Sequence, residues 1–236
     1  MTLVSIPANP VPEDVVSGTI KTPDGAELRF ARWAPPAGRK GTVCVFTGRS
    51  EPIEKYFETV RDLRDRGFAV AMIDLPGRRT SFPTRALLRT MRLMGQGGRY
   101  VPGGSDALTG TESFINNPFT SDPVRYARNA AILEEDPTLG IGSPTVAWAD
   151  TAFRAMHTFR GVDYPSEIRQ PILMLAASND TIVSTAAIEE FAYHLRAGSH
   201  LVIAGSKHEI LQEQDRYRAQ FWAAFDAFVP GTPLFK

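Results

Sequence analysis

The spacing of apolar and polar residues changes repeatedly along this chain, and each change of period marks an element. Glu27–Trp33 alternates strictly. With residues 18–22 and the Pro23-Asp24-Gly25 turn it predicts a β-hairpin. Pro35, Pro36 and Gly38 predict a loop. After it, Thr42–Phe46 and residues 68–73 are short apolar runs of the kind buried in parallel sheets. Between those runs Ile53, Tyr56, Phe57, Val60 and Leu63 fall on one side of a helix that Gly67 stops. Residues 84–94, 122–135 and 143–159 read as helices. The last carries an apolar stripe of Ala149, Ala152, Phe153, Met156 and Phe159, with Ser143 as its N-cap. Ile172–Ala177 is again a buried strand. Ser184 then caps a helix bearing Ile188, Phe191, Ala192 and Leu195, Gly198 ends it, and residues 201–204 form a second strand. Residues 212–229 are a closing helix with Tyr217, Phe221, Ala224, Phe225 and Phe228 toward the sheet, and residues 1–14, with three prolines, predict an extended arm. Strands alternating with helices predict an α/β fold with a mostly parallel sheet flanked by helices.

Composition narrows the class without naming an activity. A chain of 236 residues with 43% hydrophobic content can bury one substantial core. Formal net charge is zero and the pI is 6.9, so global electrostatics gives no reason to expect nucleic acid or an anionic membrane as an obligatory partner. The single Cys44 allows no internal disulfide and fits a reducing compartment. No signal-peptide pattern or bilayer-length apolar run is present, which predicts a soluble, cytoplasmic protein. No P-loop, dinucleotide fingerprint or metal-ligand spacing occurs, so no cofactor is expected.

The candidate chemistry lies at two strand ends. Asp180 falls just past the carboxyl end of the strand 172–177, and His208 just past the end of the strand 201–204. In an open parallel sheet ligands bind at that edge, and a carboxylate with an imidazole can form the orienter–base pair of a hydrolase. The plain alternative is that Asp180 only starts the turn and His208 is a solvated loop histidine. A second candidate is a run of arginines at 78, 79, 85, 89, 92 and 99, which could attract a phosphorylated or membrane-borne lipid or simply form a solvated face. His157 has no evident partner and reads as structural.

Three stretches together resemble a known family. FTGRSEPIEKYFETVRDLRDRGFAVAMIDLPG, LMLAASNDTIVS and AGSKHEIL resemble the lysophospholipase and monoacylglycerol lipase branch of the α/β-hydrolases. The segment from YVPGG to DTAFRAM resembles the cap of these enzymes, so the likeness extends over nearly the whole chain. It implies residues 1–78 as the N-terminal half of the hydrolase core, 79–165 as a helical cap insertion and 166–236 as the C-terminal half. It also implies Asp180 as the acid, His208 as the general base, and the backbone N–H of Arg49 as an oxyanion donor, with an acyl ester or lysolipid as the small-molecule partner and peripheral contact with a membrane. It leaves the oligomeric state open.

One part of the pattern is not found. After Asp74-Leu-Pro-Gly77 the family has a helix, then a strand running into G-x-S-x-G, the sharp turn that exposes the nucleophile. Here Gly77-Arg78-Arg79-Thr80 leads straight into the cap segment. Ser105, in Gly103-Gly104-Ser105-Asp106-Ala107, comes nearest but follows no buried strand. Ser50, Ser143, Ser178, Ser184, Ser199 and Ser206 do not occupy a strand-to-helix elbow either, so no nucleophile is assigned. The expectation is that the central strand is absent and that the strands 42–46 and 172–177 close up and pair. Two functions follow. One is a lysophospholipase-like ester hydrolase, inactive in this chain. The other is a non-catalytic acyl-binding remnant, or the product of an internal deletion.

Overall fold

Among the described residues two separate sheets carry the architecture. The structure, a computed structural model, describes residues 2–23, 25, 27–35, 40–74, 91–159, 161 and 163–229. Strands β1 (Val15–Lys21), β2 (Glu27–Trp33), β3 (Thr42–Phe46) and β4 (Ala69–Asp74) form a sheet of order β1-β2-β4-β3. β1 and β2 are the expected hairpin, in antiparallel register from Val15↔Trp33 to Lys21↔Glu27. β2 pairs antiparallel with β4, and β3 pairs parallel with β4 from Thr42↔Ala69 to Phe46↔Ile73. The second sheet has two strands, β5 (Ile172–Ala177) and β6 (Gly198–Ile203), in parallel. The α/β alternation holds, with antiparallel and parallel pairings mixed.

The alternation in β2 decides which face is buried. Ala31 and Trp33 point inward at 1% exposure and meet Val70 and Met72 of β4. Helix α1 (Phe57–Asp65), entered through a 3-10 turn at Ile53–Tyr56, adds Phe57, Val60 and Leu63 to that core. Phe57 meets Trp33 edge to face with centroids 6.2 Å apart. Each such side chain stabilises the fold by about 1.5–3 kcal/mol through removal from water. The last helix, α6 (Asp215–Phe228), lays Trp222 on the same cluster under the Arg66 guanidinium, 4.1 Å from the ring centroid.

β5 and β6 are joined by α5 (Thr185–Tyr193), capped as expected by Ser184, whose hydroxyl accepts the Ala187 N–H at 3.2 Å. β6 begins at Gly198, earlier than the apolar run suggests, because its pairing with β5 starts at Ile172↔Gly198; an added Cβ there would lie 2.5 Å from that of Leu195. The middle segment carries α2 (Pro123–Glu135), α3 (Val146–Phe159) and the short α4 (Tyr164–Glu167). Asp122 caps α2 by accepting the N–H groups of Val124 and Arg125. At α3 the hydroxyl near the first turn is that of Thr145, 3.5 Å from the Trp148 nitrogen, and not the expected Ser143.

Several expectations are corrected. β3 and β5 do not pair: among the described residues β3 bonds only to β4 and β5 only to β6. β3 is not a buried strand, since Phe46 is 78% exposed and Cys44 is exposed. Its apolar run is matched by packing on one face only, where Val43 and Val45 meet the core. The N-terminal arm is docked. Asn9 donates to the Glu54 carbonyl at 2.7 Å, and Pro12 accepts from the Trp33 indole at 3.2 Å. In the α3 stripe Ala149 is buried, whereas Met156 and Phe159 are 44% and 46% exposed. His157, read as structural, is exposed. Arg78, Arg79, Arg85 and Arg89 lie outside the described residues, as does most of the expected helix 84–94. Arg92 is paired with Asp150 at 2.9 Å.

Charged side chains join α1 to α2 and α6. Glu58 of α1 binds Arg125 and Arg128 of α2 and Arg218 of α6 at 2.6–2.8 Å. These cations hold its carboxyl at about 2, against a burial effect that alone would raise it. Gln212 donates from its amide to the Lys55 carbonyl at 3.1 Å, and Lys55 reaches Glu209 at 2.6 Å.

Candidate active site

The loops that leave β5 and β6 are laced together before any functional group is placed. Asn179 N–H donates to the Ser206 carbonyl at 2.9 Å, and Gly205 N–H donates to the Ser178 hydroxyl at 2.7 Å. Asp180 closes its own turn, its Oδ1 accepting from Ile182 N–H at 2.7 Å and Val183 N–H at 3.0 Å. Its Oδ2 lies 2.8 Å from Nδ1 of His208, 28 positions later in the chain. The Asp180 side chain is 4% exposed and that of His208 is 31% exposed. Burial would raise the Asp180 carboxyl. The bonds from His208 and from the N–H groups of Val183 and Ile182 outweigh it and hold the group below the usual carboxylate range.

An ionised carboxylate facing Nδ1 makes that nitrogen the donor, which leaves Nε2 of the neutral ring as the acceptor. Such an imidazole is oriented to accept a proton from a hydroxyl or a water. Asp180 and His208, the pair expected from the sequence, are thus brought into contact.

The third expected residue, Arg49, follows β3 in the turn Thr47-Gly48-Arg49-Ser50. Ser50 adopts a left-handed conformation with φ 68°. Glu51 folds back so that its Oε2 accepts the Gly48 N–H at 2.5 Å. A Cβ at position 48 would lie 2.3 Å from that oxygen, so a larger residue there would displace the Glu51 carboxylate. The Arg49 side chain crosses to the middle segment. Its guanidinium donates to the Gly142 carbonyl at 2.5 Å and to the Ser50 hydroxyl at 3.0 Å, and sits 5.8 Å from the Trp148 ring centroid.

Between the Arg49 turn and His208 lies a buried polar cluster that the sequence reading missed. Lys55 binds Glu51 at 2.9 Å and Glu209 at 2.6 Å, and the Tyr56 hydroxyl donates to Glu51 at 2.7 Å. Burial would raise Glu51, but Lys55, Tyr56 and the Gly48 N–H hold it low. Glu209 is raised by burial. Glu51 and Glu209 wall two adjoining cavities. One, of about 60 Å³, is shared with Arg49 and Ser50, and the other, of about 260 Å³, with Tyr56 and His208. The available signals were the i,i+4 spacing of Glu51 and Lys55 and the position of Glu209 next to His208. Both look like surface charges in a sequence.

Among the described residues no serine hydroxyl is bonded to His208. The hydroxyl of Ser50 accepts from Arg49, that of Ser105 accepts the Ala107 N–H, and that of Ser206 donates to the Ile203 carbonyl. Among the described residues the recorded hydrogen bond of His208 is the one to Asp180. Among them, too, no group of three His, Cys, Asp or Glu side chains is placed to hold a metal ion, and no helix is long and apolar enough to cross a membrane.

Comparison with known proteins bears on the whole arrangement. Residues 108–215 match the family model described as serine aminopeptidase, S33. Lysophospholipase L2 of Escherichia coli is 30% identical over 114 residues, covering 45% of this chain and 33% of that protein. A protein of Haemophilus influenzae named "Probable lysophospholipase L2" is 26% identical over 143 residues, covering 61% of this chain and 44% of its own. The matches therefore span less than half the length of these relatives. In three dimensions the chain superposes on a carboxyl esterase of Bacillus coagulans with a TM-score of 0.69 at 14% identity, covering 93% of this chain and 99% of that one. A monoglyceride lipase of Saccharomyces cerevisiae gives 0.61 at 12% identity, covering 92% and 97%.

Proposed function

We propose that this chain, a lysophospholipase-like α/β-hydrolase in fold and sequence, keeps the acid–base half of an ester-hydrolysing site and binds an acyl ester or lysolipid without turning it over by an acyl-enzyme route. In this reading Asp180 fixes the tautomer of His208, His208 keeps the place of the general base, and the Arg49 N–H keeps that of the oxyanion donor. The observation that carries the proposal is the 2.8 Å contact between Asp180 and His208 with no hydroxyl bonded to that imidazole among the described residues. Loss of a nucleophile leaves only binding and electrostatic effects, several orders of magnitude below a complete triad.

The segment 79–165 serves as the cap. Its helix α3 exposes Trp148, Met156 and Phe159, which supports contact with an acyl chain or with the surface of a membrane. A cytoplasmic location belongs to the same proposal, and the free thiol of Cys44 fits it.

A fluorophosphonate probe tests the proposal directly. The expected result is no stoichiometric labelling, together with calorimetric binding of a fatty acid or lysophospholipid that Asp180→Asn or His208→Ala leaves largely intact. Covalent labelling of any serine would sink it and establish the second reading, a working carboxylic ester hydrolase. The intact Asp180–His208 pair is the observation that favours that alternative.

A further inference from the structure

Among the described residues β3 has an unpaired edge, and its register is self-complementary. Ala69 N–H donates to the Gly41 carbonyl at 3.0 Å. Backbone groups alternate along a strand, so those of Val43 and Val45 also face β4, and those of Thr42, Cys44 and Phe46 face away. Among the described residues no strand pairs with that side. The side chains of the same three residues are exposed, Phe46 by 78%. The free edge of β5 differs, because all six of its residues are half-buried or buried. Natural edges are commonly protected by proline, lysine, a bulge or covering structure, and the stretch Thr42–Phe46 contains no proline or charge.

We propose that two copies of this chain associate edge to edge through β3, antiparallel and with a twofold axis at Cys44. That register sets Cys44 opposite its own copy and Thr42 opposite Phe46, so all three outward-facing residues exchange hydrogen bonds with outward-facing partners. A slip of one residue in either direction sets inward-facing groups of one strand against outward-facing groups of the other. A slip of two shortens the overlap. A second copy is the occupant because this pairing closes on itself, as an isologous interface must. The chain has no net charge, so copies do not repel one another at long range. The proposal is independent of the catalytic reading.

The register makes the test specific. In sedimentation under reducing conditions the wild type is expected to form dimers as concentration rises. Diamide, which takes up the two protons and two electrons that a thiol pair gives up, should convert those dimers to a Cys44–Cys44 disulfide. Paired residues about 5.5 Å apart at Cα lie within disulfide range. Thr42→Lys with Phe46→Lys places like charges opposite one another twice and should weaken the dimer about tenfold or more, whereas Thr42→Lys with Phe46→Glu places opposite charges there and should restore it. Cys44→Ser should keep the dimer and lose the crosslink. Circular dichroism checks that each variant is folded. A wild type that stays monomeric at its highest soluble concentration would overturn the proposal, as would two double variants that behave alike. If the double-lysine variant fails to fold, sedimentation and crosslinking of the wild type still decide.

Discussion

β3 and β5 are written in nearly the same alphabet and live in different surroundings. TVCVF and ILMLAA are short apolar runs, each parallel to one neighbour and each feeding a loop of the candidate site. β5 ends in two buried alanines and delivers Asp180 into a turn with every carboxylate contact made. β3 packs on one face, leaves Phe46 in solvent, and delivers Arg49 into a turn held by a carboxylate five residues past its end. The difference teaches that an apolar run records what a strand can tolerate, whereas its burial is set by elements elsewhere in the chain.

The contrast can be broken by substitution, beginning with the largest expected effect. Phe57→Ala empties the core beneath β2 and β4 and should cost about 3–5 kcal/mol in urea unfolding. Glu58→Gln removes the partner of three arginines at a partly exposed junction and should cost about 2 kcal/mol. The same residue sets a pH dependence. Its carboxyl sits at about 2 in the folded chain, below its ordinary value of 4.5. Its contribution is therefore complete above 4.5 and fades as pH falls toward 2. The Gln variant should lose that slope between pH 5 and 2 in thermal melts.

Asp180→Asn should cost about 1–2 kcal/mol, because two backbone donors and the imidazole lose a charged acceptor. The depressed Asp180 carboxyl likewise stabilises above its ordinary value and stops doing so in acid. Phe46→Ala, measured at low protein concentration, should change stability by less than about 0.5 kcal/mol. A cost near that of Phe57→Ala would mean that Phe46 is buried in solution and that the contrast between the two strands is wrong.

Much of this was legible in the residues. The hairpin, both halves of the β5–α5–β6 unit, its Ser184 cap and the Asp180–His208 contact follow from local periodicity and capping chemistry. What could not be read were pairings that depend on distant segments. The antiparallel match of β2 with β4 joins positions about forty residues apart, and the Lys55–Glu209 contact joins positions 154 apart. The expected closure of β3 on β5 assumed that open edges seek each other. It gave no weight to the ion pairs by which Glu58 ties its helix to α2 and α6. Buried charges such as Arg29, held between Glu54 and Asp74, look like solvent-facing residues when only the alternation is considered.

The reach of Arg49 has a consequence for how this scaffold can vary. Its backbone belongs to the turn after β3, while its guanidinium grips a carbonyl 93 positions later and lies beside the Trp148 ring. Insertions or deletions ahead of α3 would therefore tug on the turn, and a transplanted lid would have to present an oxygen and a flat aromatic surface at the same two points. Two stretches far apart in the gene are obliged to change in step.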